Sequence, residues 1–252
     1  MVQYCPYCLH LVSGTGVCPQ CGRRITSYQK ASHHFPPGTL LNGHYVVGRV
    51  IGEGGFGITY LGLDMTLQRK VAIKEYFPTV YVKREASLTL DVTCYTDAQE
   101  APYVQGREQF LQEARTLAKL DRVHAIVRIL DFFSANNTAY IVMEYLEGDT
   151  LGTMSNQLGP IPLTNILEYL DPVLRAMDTM HAAGIIHRDI SPDNIMRLRD
   201  GQVKLLDFGC ARNTQGGNTL TVVLKHGYAP IEQYTGHNQR TYTPCAPPST
   251  VD

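Results

Sequence analysis

The chain has 252 residues, of which 44% are hydrophobic and 18% are charged, and its formal net charge is −1. This length can build one sizeable core, or a small module followed by a larger domain. The near-neutral charge argues against nucleic acid or an anionic membrane as a general partner, and no apolar run approaches the roughly 18–20 residues that span a bilayer.

The first residues and the cysteine pattern bear on the compartment. The opening MVQYCPYC lacks the charged and then apolar pattern of a signal peptide. The chain has seven cysteines, and four of them form two tight pairs. This pattern favours metal ligation in a reducing compartment over a disulfide framework, so we expect a cytoplasmic protein.

Residues 5–22, CPYCLHLVSGTGVCPQCG, contain two C-x-x-C pairs, formed by Cys5 with Cys8 and by Cys18 with Cys21. Four thiolates are the closed ligand set of a structural zinc site, and a unit this small hardly folds without its metal. The segment between the pairs suits a hairpin that turns at Ser-Gly-Thr-Gly. A pair of redox dithiols is the alternative, which no strand–helix pattern supports. The sequence predicts a zinc ribbon over residues 1–22.

Residues 23–43 show no sustained period and contain Pro36, Pro37 and Gly38. This composition predicts a flexible linker. His33 and His34 are interpreted as solvated linker residues and not as metal ligands.

From residue 44, HYVVGRVIGEGGFGITYLGLD predicts a strand, a glycine cluster and a second strand. Gly52, Gly54 and Gly57 follow G-x-G-x-x-G, which taken alone also fits a dinucleotide fingerprint. The segment ITYLGL is β-branched and aromatic, so a strand follows the glycines where a dinucleotide site would have a helix. Such a hairpin can lay backbone N–H groups over a triphosphate.

The next strand, KVAIKEYF, matches the V-A-I-K pattern in which the lysine, here Lys74, holds the α and β phosphates. Ala72 in this strand is a candidate nucleotide contact. An ordinary surface lysine is the alternative. The segment REQFLQEARTLAKL has apolar residues at helical spacing and leaves Glu113 able to face the sheet as a partner for Lys74, or to be merely solvated. The apolar positions are Phe110, Leu111, Ala114, Leu117 and Leu120. Residues 77–104 form an irregular excursion with no evident role.

Two further motifs follow a helix predicted over 163–183. In IIHRDISPDN, His187, Arg188 and Asp189 precede Asn194 as in H-R-D-x-x-x-x-N, and VKLLDFGCAR contains Asp207 of D-F-G. The helix has apolar residues on one face, interpreted as core, and Pro172 predicts a kink within it. The residues of that face are Leu167, Leu170, Leu174 and Met177.

These motifs, in this order, resemble the eukaryotic-like protein kinase superfamily over residues 44–232. The zinc ribbon and the segment GEGGFGITYLG…KEYFP resemble bacterial serine/threonine kinases of this class. The resemblance implies an α+β, two-lobed kinase fold, with an N-lobe at about 44–145 and a partial C-lobe at about 146–232. It also implies ATP and Mg²⁺ as cofactors and a serine or threonine hydroxyl of a protein as acceptor.

The resemblance also implies roles for particular residues. Asp189 would orient the substrate hydroxyl and accept its proton, and Asn194 and Asp207 would hold magnesium. In YIVMEYLEGDTL, Met143 resembles the gatekeeper, and further positions resemble nucleotide contacts. These contacts are Glu144 and Leu146 for the adenine, through the backbone, and Asp149 for the ribose.

One departure concerns Ser191, because serine/threonine kinases usually carry lysine there, and the substrate class is therefore less defined. A small-molecule kinase and an inactive fragment that acts as a zinc-bearing binding module are the alternatives. Arg188 and the segment GYAPIE favour protein substrates. Residues 210–226 are the predicted activation loop, in which autophosphorylation in trans would modify a threonine. The candidate threonines are Thr214, Thr219 and Thr221.

The last residues predict an incomplete C-lobe. Glu232 resembles the glutamate that pairs with a distant arginine in related kinases, and a buried helix should follow it. Instead, Pro244, Pro247 and Pro248 forbid a helix, so residues 233–252 are predicted to be a disordered tail. We expect a truncated kinase, produced by a frameshift or sequencing error near Gln239, with low stability and weak or no activity. A natural disordered tail is the alternative.

Overall fold

This computed structural model of the protein describes residues 2–14, 16–85, 88–207, 212–213 and 228. The described residues form two compact units. The first contains the residues up to Asp121 together with Val127–Leu146, and the second contains Arg122–Ile126 and the described residues from Glu147 onwards. No helix in the described ranges combines the length and apolarity needed to cross a bilayer.

The first unit begins with a small hairpin. Strand β1 (Val2–Tyr4) pairs antiparallel with β2 (Leu11–Ser13). The first C-x-x-C lies between these strands, so this hairpin turns within residues 5–10. The turn is closed by main-chain hydrogen bonds of Cys5, whose N–H donates to His10 and whose carbonyl accepts from Leu9, both at 2.9 Å. The turn predicted at Ser-Gly-Thr-Gly includes Thr15, which lies outside the described residues, and it stays a prediction.

A larger antiparallel sheet follows. The remaining elements of the first unit, in chain order, are β3 (Leu40–Leu41), β4 (Tyr45–Gly54), β5 (Gly57–Asp64), β6 (Arg69–Tyr76), β7 (Val82–Lys83), β8 (Thr93–Cys94), α1 (Glu100–Ala118), β9 (Ile129–Ala135) and β10 (Thr138–Glu144), with 3₁₀ turns at Ile25–Ser27 and Asp97–Gln99. In the described part, the order across the large sheet is β3-β4-β5-β6-β10-β9. The two strands predicted around the glycine cluster are therefore confirmed.

The core of this unit lies between the sheet and α1. The helix begins earlier than the predicted segment, at Glu100, and its predicted apolar face is confirmed. Its buried residues are Tyr103, Phe110, Ala114 and Leu117. Aromatic rings fill the centre of the sheet, where Tyr140 stacks on Phe133 with ring centroids 5.0 Å apart.

Part of the predicted linker belongs to this core. Phe35 is fully buried, with its ring centroid 5.5 Å from that of Tyr60, and His34 is only 8% exposed. The interpretation of His33 and His34 as solvated residues is wrong, because their segment packs against the sheet and both rings are hydrogen-bonded to Glu53. The boundaries 23–43 remain a prediction.

The cysteine hairpin also packs on the sheet. Leu9 is 4% exposed and lies in a buried cluster with Val46 and Leu61. The N–H of Arg49 donates to the carbonyl of Pro6 at 2.9 Å. The hairpin is therefore joined to strands β4 and β5 by apolar and main-chain contacts.

The second unit carries a long helix and short strands. In chain order its elements are β11 (Gly148–Thr150), α2 (Leu151–Leu158), α3 (Leu163–Ala182), β12 (Ile185–Ile186), a 3₁₀ turn at Pro192–Asn194, β13 (Ile195–Leu198), β14 (Val203–Leu205) and β15 (Arg212–Asn213). Among the described residues, β11, β13 and β14 form one sheet, and β12 pairs with β15.

Helix α3 matches the predicted span and continues through Pro172. The predicted core face is wrong for Leu167 and Leu174, which are 61% and 57% exposed. A stripe on a different side of the helix is buried, where α3 packs against β12 and β14. The buried residues are Tyr169, Val173, Ala176 and Met180.

Candidate active site and metal centre

The glycine-rich segment is a tight hairpin in the first unit. Strand β4 ends at Gly54 and β5 begins at Gly57, and these two residues face each other. A Cβ at Gly57 would overlap the main-chain carbonyl of Glu75, whereas a Cβ at Gly54 would meet open space and one at Gly52 would meet Thr59 only at 3.9 Å. The fold therefore requires glycine at Gly57, while Gly54 leaves room above the hairpin for a ligand to approach the backbone.

Strand β6 presents Lys74, which is half-buried and lies between Thr59 of β5 and Ile141 of β10. Ala72, two residues earlier, is 8% exposed and lies opposite Met143. Glu113 is also half-buried, on α1, which packs against β9 and β10. The structure thus places the predicted lysine and carboxylate in the same unit, each on a regular element.

Of the two predicted adenine contacts, Glu144 ends β10 and Leu146 lies two residues beyond it. The side chain of Glu144 accepts a hydrogen bond from the N–H of Arg128 at 2.8 Å, and the N–H of Glu144 donates to the Arg128 carbonyl at 3.0 Å. These bonds fix the backbone at this position. Leu146 is the last residue of the first unit and is half-buried. Asp149 belongs to the second unit, where it is exposed on β11 opposite Arg197.

In the second unit, Asp189 and Asn194 are directly joined. The side-chain amide of Asn194 donates to Oδ2 of Asp189 at 2.7 Å and to its main-chain carbonyl at 2.8 Å. The amide is fixed because Asn194 ends a 3₁₀ turn and is 8% exposed. These bonds set the direction of the Asp189 carboxylate.

His187 connects this loop to the strand before Asp207. Its ring is 1% exposed, and its Nε2 bonds the carbonyl of Leu206 at 2.9 Å while its Nδ1 accepts from the N–H of Asp189 at 3.3 Å. This pattern assigns the proton to Nε2, since a carbonyl can only accept. The N–H of Leu206 also donates to the carbonyl of Asn194 at 2.8 Å. The loop and the residue preceding Asp207 are therefore held together at two points.

Two residues of the motifs adopt a strained backbone. Arg188 has φ +67° and Asp207 has φ +50°, both in the left-handed region. Side-chain-bearing residues cost about 1–3 kcal/mol there, and such strain is concentrated at functional sites. Asp207 is exposed and lies two residues after the end of the buried strand β14.

Ser191, where the sequence departs from the family pattern, is buried in the same loop. Ser191 is 2% exposed, and its carbonyl accepts from the N–H of Asn194 at 3.0 Å. The remaining predictions fall on residues outside the described ranges. These are Phe208 and Gly209 of the D-F-G motif, Thr214, Thr219, Thr221, Glu232 and the tail 233–252.

The four cysteines Cys5, Cys8, Cys18 and Cys21 lie together, two from the turn of the small hairpin and two from the segment after it. The sulfurs of Cys5 and Cys21 are 3.7 Å apart, and those of Cys8 and Cys18 are 3.6 Å apart. A disulfide would require about 2.05 Å, and the four are free thiols. A tetrahedral zinc site with Zn–S bonds of about 2.3 Å has sulfurs roughly 3.8 Å apart. The spacing of the sulfurs therefore fits a tetrahedral zinc ion.

The thiol of Cys18 has an altered acidity. Its burial acts to raise the pKa, but hydrogen bonds from the backbone of Cys21 and Gln20, together with the Cys8 and Cys5 side chains, outweigh burial and lower the pKa to about 7. A thiolate at Cys18 is the form that ligates a metal.

Two polar clusters of the first unit were missed in the sequence. Arg84 and Glu75 form a fully buried ion pair, and Arg84 also reaches Tyr60 and the carbonyl of His33. Burial acts to lower the pKa of Arg84, but its hydrogen bonds to Glu75 raise the pKa overall. Arg84 lies in the irregular excursion, where the sequence carries no signal of burial.

The second cluster joins His33 and His34 to Glu53 of the glycine-rich hairpin. Burial lowers the pKa of His34 despite the neighbouring Glu53 carboxylate. The adjacent histidines were the available signal in the sequence, but their partner could not be found there.

Comparison with known proteins agrees with this arrangement. Residues 45–244 match the family model described as the protein kinase domain. The chain is 35% identical to serine/threonine-protein kinase PknL of Mycobacterium bovis over 173 residues, which cover 69% of this chain and 38% of that protein. It is 34% identical to serine/threonine-protein kinase PknA of a Nostoc species over 209 residues, which cover 78% of this chain and 34% of that protein.

A solved structure described as the apo form of PpkA-294 matches with a TM-score of 0.70 and 37% identity, covering 82% of this chain and 73% of that chain. The predicted α+β kinase fold is therefore confirmed. The chain spans little more than a third of the length of the two curated relatives, at 38% and 34%.

Proposed function

Since the chain belongs to the protein kinase domain family, we propose that it transfers the γ-phosphate of ATP to a serine or threonine hydroxyl of a protein. The observation that carries this proposal is the pair of hydrogen bonds from Asn194 to Asp189, at 2.7 and 2.8 Å. These bonds orient the carboxylate of Asp189. The buried ring of His187 holds the same loop through its hydrogen bond to the carbonyl of Leu206. The relatives named as serine/threonine kinases support this acceptor class.

The second unit supplies the catalytic base. Asp189 would accept a hydrogen bond from the substrate hydroxyl and take its proton as the oxygen becomes a nucleophile. The amide of Asn194 donates a hydrogen bond to Oδ2 of Asp189. This bond fixes the orientation of the carboxylate, and therefore also the position of its other oxygen. Alignment of the hydroxyl is the main contribution here, because phosphoryl transfer depends on positioning and charge neutralisation more than on covalent catalysis.

Members of the family use ATP and Mg²⁺, and each unit, taken by itself, contains candidate ligands. Bound magnesium would neutralise the charge that develops on the phosphates. In the second unit, Asn194 and Asp207 offer the oxygen ligands that magnesium prefers. In the first unit, Lys74 would contact the phosphates, with Glu113 as its orienting partner, and the backbone of Gly52, Gly54 and Gly57 would lie over them.

We propose that Cys5, Cys8, Cys18 and Cys21 hold a structural zinc ion. The sulfur separations of 3.6 and 3.7 Å support four-thiolate coordination, which leaves no open position for chemistry. The free thiols also support a reducing compartment. Cytoplasmic location and autophosphorylation in trans remain predictions.

Phosphate transfer from labelled ATP tests the proposal. The purified chain should label itself or an added substrate protein in the presence of Mg²⁺, and Asp189→Asn should not. Equal labelling by the two proteins would refute the assignment of Asp189.

A further inference from the structure

The cluster of His33, His34 and Glu53 lies outside the residues to which the proposed kinase chemistry is assigned. The Nε2 of His33 is 2.8 Å from Oε1 of Glu53, and the Nε2 of His34 is 2.9 Å from Oε2. The two imidazole rings are edge to face, with centroids 4.4 Å apart. One carboxylate therefore meets two imidazole nitrogens, and the three donor groups lie within 4.8 Å of one another.

The two histidines are held in place by the core. The guanidinium of Arg84 donates from Nε to the carbonyl of His33 at 2.9 Å, while the same group is ion-paired with Glu75 and lies 3.9 Å from the ring of Phe35. The ring of His33 also stacks on Phe77 at 5.5 Å. These contacts hold the two histidines in fixed positions. Ligands that are fixed before an ion binds are preorganised, as a binding site requires.

Glu53 provides the other half, and it belongs to the glycine-rich hairpin. It stands between Gly52 and Gly54 and faces Ile58 across the turn. Its side chain is 36% exposed, against 28% for His33 and 10% for His34. The cluster is thus closed on the side of His34 and accessible to solvent on the side of Glu53.

The donor set has a defined chemistry. Two neutral imidazole nitrogens and one carboxylate bind zinc-type transition metals, and three protein ligands leave a further position for water. For His34, the ring proton must then move from Nε2 to Nδ1, and Nδ1 gives up the hydrogen bond that it accepts from the N–H of Ala31 at 3.2 Å. Donors around such an ion, at about 2.0–2.2 Å from it, are roughly 3.3 Å apart. The observed separations of 2.8 and 2.9 Å would therefore need to widen by only about half an ångström, which the exposed Glu53 side chain can supply.

We propose that His33, His34 and Glu53 form a second metal site, for a divalent transition-metal ion such as Zn²⁺, and that this ion fastens the glycine-rich hairpin to the segment before the sheet. Metal binding here requires no kinase activity. If the hairpin covers nucleotide, as the proposed function states, the ion would also restrict the opening of that hairpin.

Zinc titration followed by calorimetry tests the site. The full chain is first shown by elemental analysis to carry one zinc, and a thiol reagent checks that the four cysteines remain protected. The wild type should then bind one further equivalent of Zn²⁺. Glu53→Gln should weaken this second event at least tenfold, the lower limit for loss of even an outer partner of a metal site. His33→Ala should weaken it similarly.

Matched controls separate this site from general surface binding. Glu108→Gln and His124→Ala change an exposed carboxylate and an exposed imidazole elsewhere, and both should bind the second equivalent as the wild type does. The two control variants should keep the thermal midpoint of the wild type without added metal. Absence of a second equivalent, or a second equivalent that Glu53→Gln leaves unchanged, would overturn the site.

Hydrogen exchange tests the attachment of the hairpin without any measurement of kinase activity. Added Zn²⁺ should slow amide exchange in a peptide covering residues 52–57 in the wild type and not in Glu53→Gln. A second equivalent bound without slower exchange would overturn the fastening of the hairpin. A chain that binds zinc in this way but transfers no phosphate would contradict the proposed function and leave the metal site standing.

Discussion

The side-chain amide of Asn194 donates two hydrogen bonds to Asp189, one to the carboxylate at 2.7 Å and one to the main-chain carbonyl at 2.8 Å. Asparagine suits this position because its amide donates to Asp189 while its carbonyl oxygen retains the capacity to ligate a cation. The spacing in H-R-D-x-x-x-x-N follows from this geometry, since the 3₁₀ turn Pro192–Asn194 returns the chain to Asp189. Both residues of the proposed catalytic pair therefore lie in one loop, residues 189–194.

The two glycines at the ends of the hairpin should respond differently to a methyl group. Gly57→Ala should lower the free energy of unfolding by about 1–3 kcal/mol, because the added Cβ overlaps the carbonyl of Glu75. Gly54→Ala should cost roughly 1 kcal/mol or less, because its Cβ meets open space. Urea unfolding of both variants measures the difference. Equal losses would show that the close approach at Gly57 is not a constraint on the fold.

Removal of zinc should destabilise more than the cysteine hairpin. Leu9 and Pro6 contact strands β4 and β5, so loss of the metal should lower the thermal midpoint of the sheet as well. Elemental analysis of protein prepared without chelator should find about one zinc per chain, and Cys8→Ser should lose it.

Cys94→Ser is the matched control for the cysteine cluster, because Cys94 is a free thiol outside that cluster. It should keep the zinc and the midpoint. Chelator-free protein that contains no zinc would contradict the assignment, and an unchanged midpoint of the sheet after zinc removal would show that the contacts of Leu9 contribute little.

The buried ion pair of Arg84 and Glu75 should be costly to break. Arg84→Met leaves the carboxylate of Glu75 buried without its cation, and we expect a loss of about 3–5 kcal/mol. Arg128→Ala removes an ion pair with Asp121 whose side chains are 55% and 47% exposed, and it should cost about 1 kcal/mol or less. Denaturant unfolding compares the two variants. Similar losses would mean that the Arg84 pair contributes no more than a surface pair.

The strands of the sheet were predictable because they depend on local pattern. β-Branched and aromatic residues flank Gly52–Gly57, and this pattern correctly predicted the strands on both sides of the hairpin. Lys74 was placed on the correct strand for the same reason. Asp189 and Asn194 were predicted together because they lie only five residues apart, so a short sequence motif contains both.

Other features depend on contacts between distant residues, which no local pattern records. Arg84 bonds the carbonyl of His33, 51 positions earlier, and this contact converts a segment with loop composition into part of the core. Helix α3 shows a second limit. Its sequence has more than one apolar stripe, and the packing against β12 and β14, not the periodicity, selects Val173 over Leu174 for burial.

Lys74 and Asp207 should each contribute to nucleotide binding. Lys74→Ala and Asp207→Ala should each weaken the binding of Mg·ATP by about 10- to 100-fold, which corresponds to roughly 1.5–3 kcal/mol for a hydrogen bond to a charged group. Lys119→Ala, which removes an exposed lysine just after α1, should bind as the wild type does. Calorimetric titration measures all three. Unchanged affinity in Lys74→Ala would remove this lysine from the phosphate site.

The most direct measurement is phosphate transfer by Asp189→Asn beside the wild type, with Mg·ATP affinity measured on the same preparations. Asparagine keeps an oxygen that can accept from Asn194 but cannot take a proton from a hydroxyl, so binding should be retained while transfer falls by about 10²–10⁴-fold. Omission of Mg²⁺ should abolish transfer by the wild type. Transfer by Asp189→Asn at the rate of the wild type would contradict the proposal that Asp189 is the catalytic base.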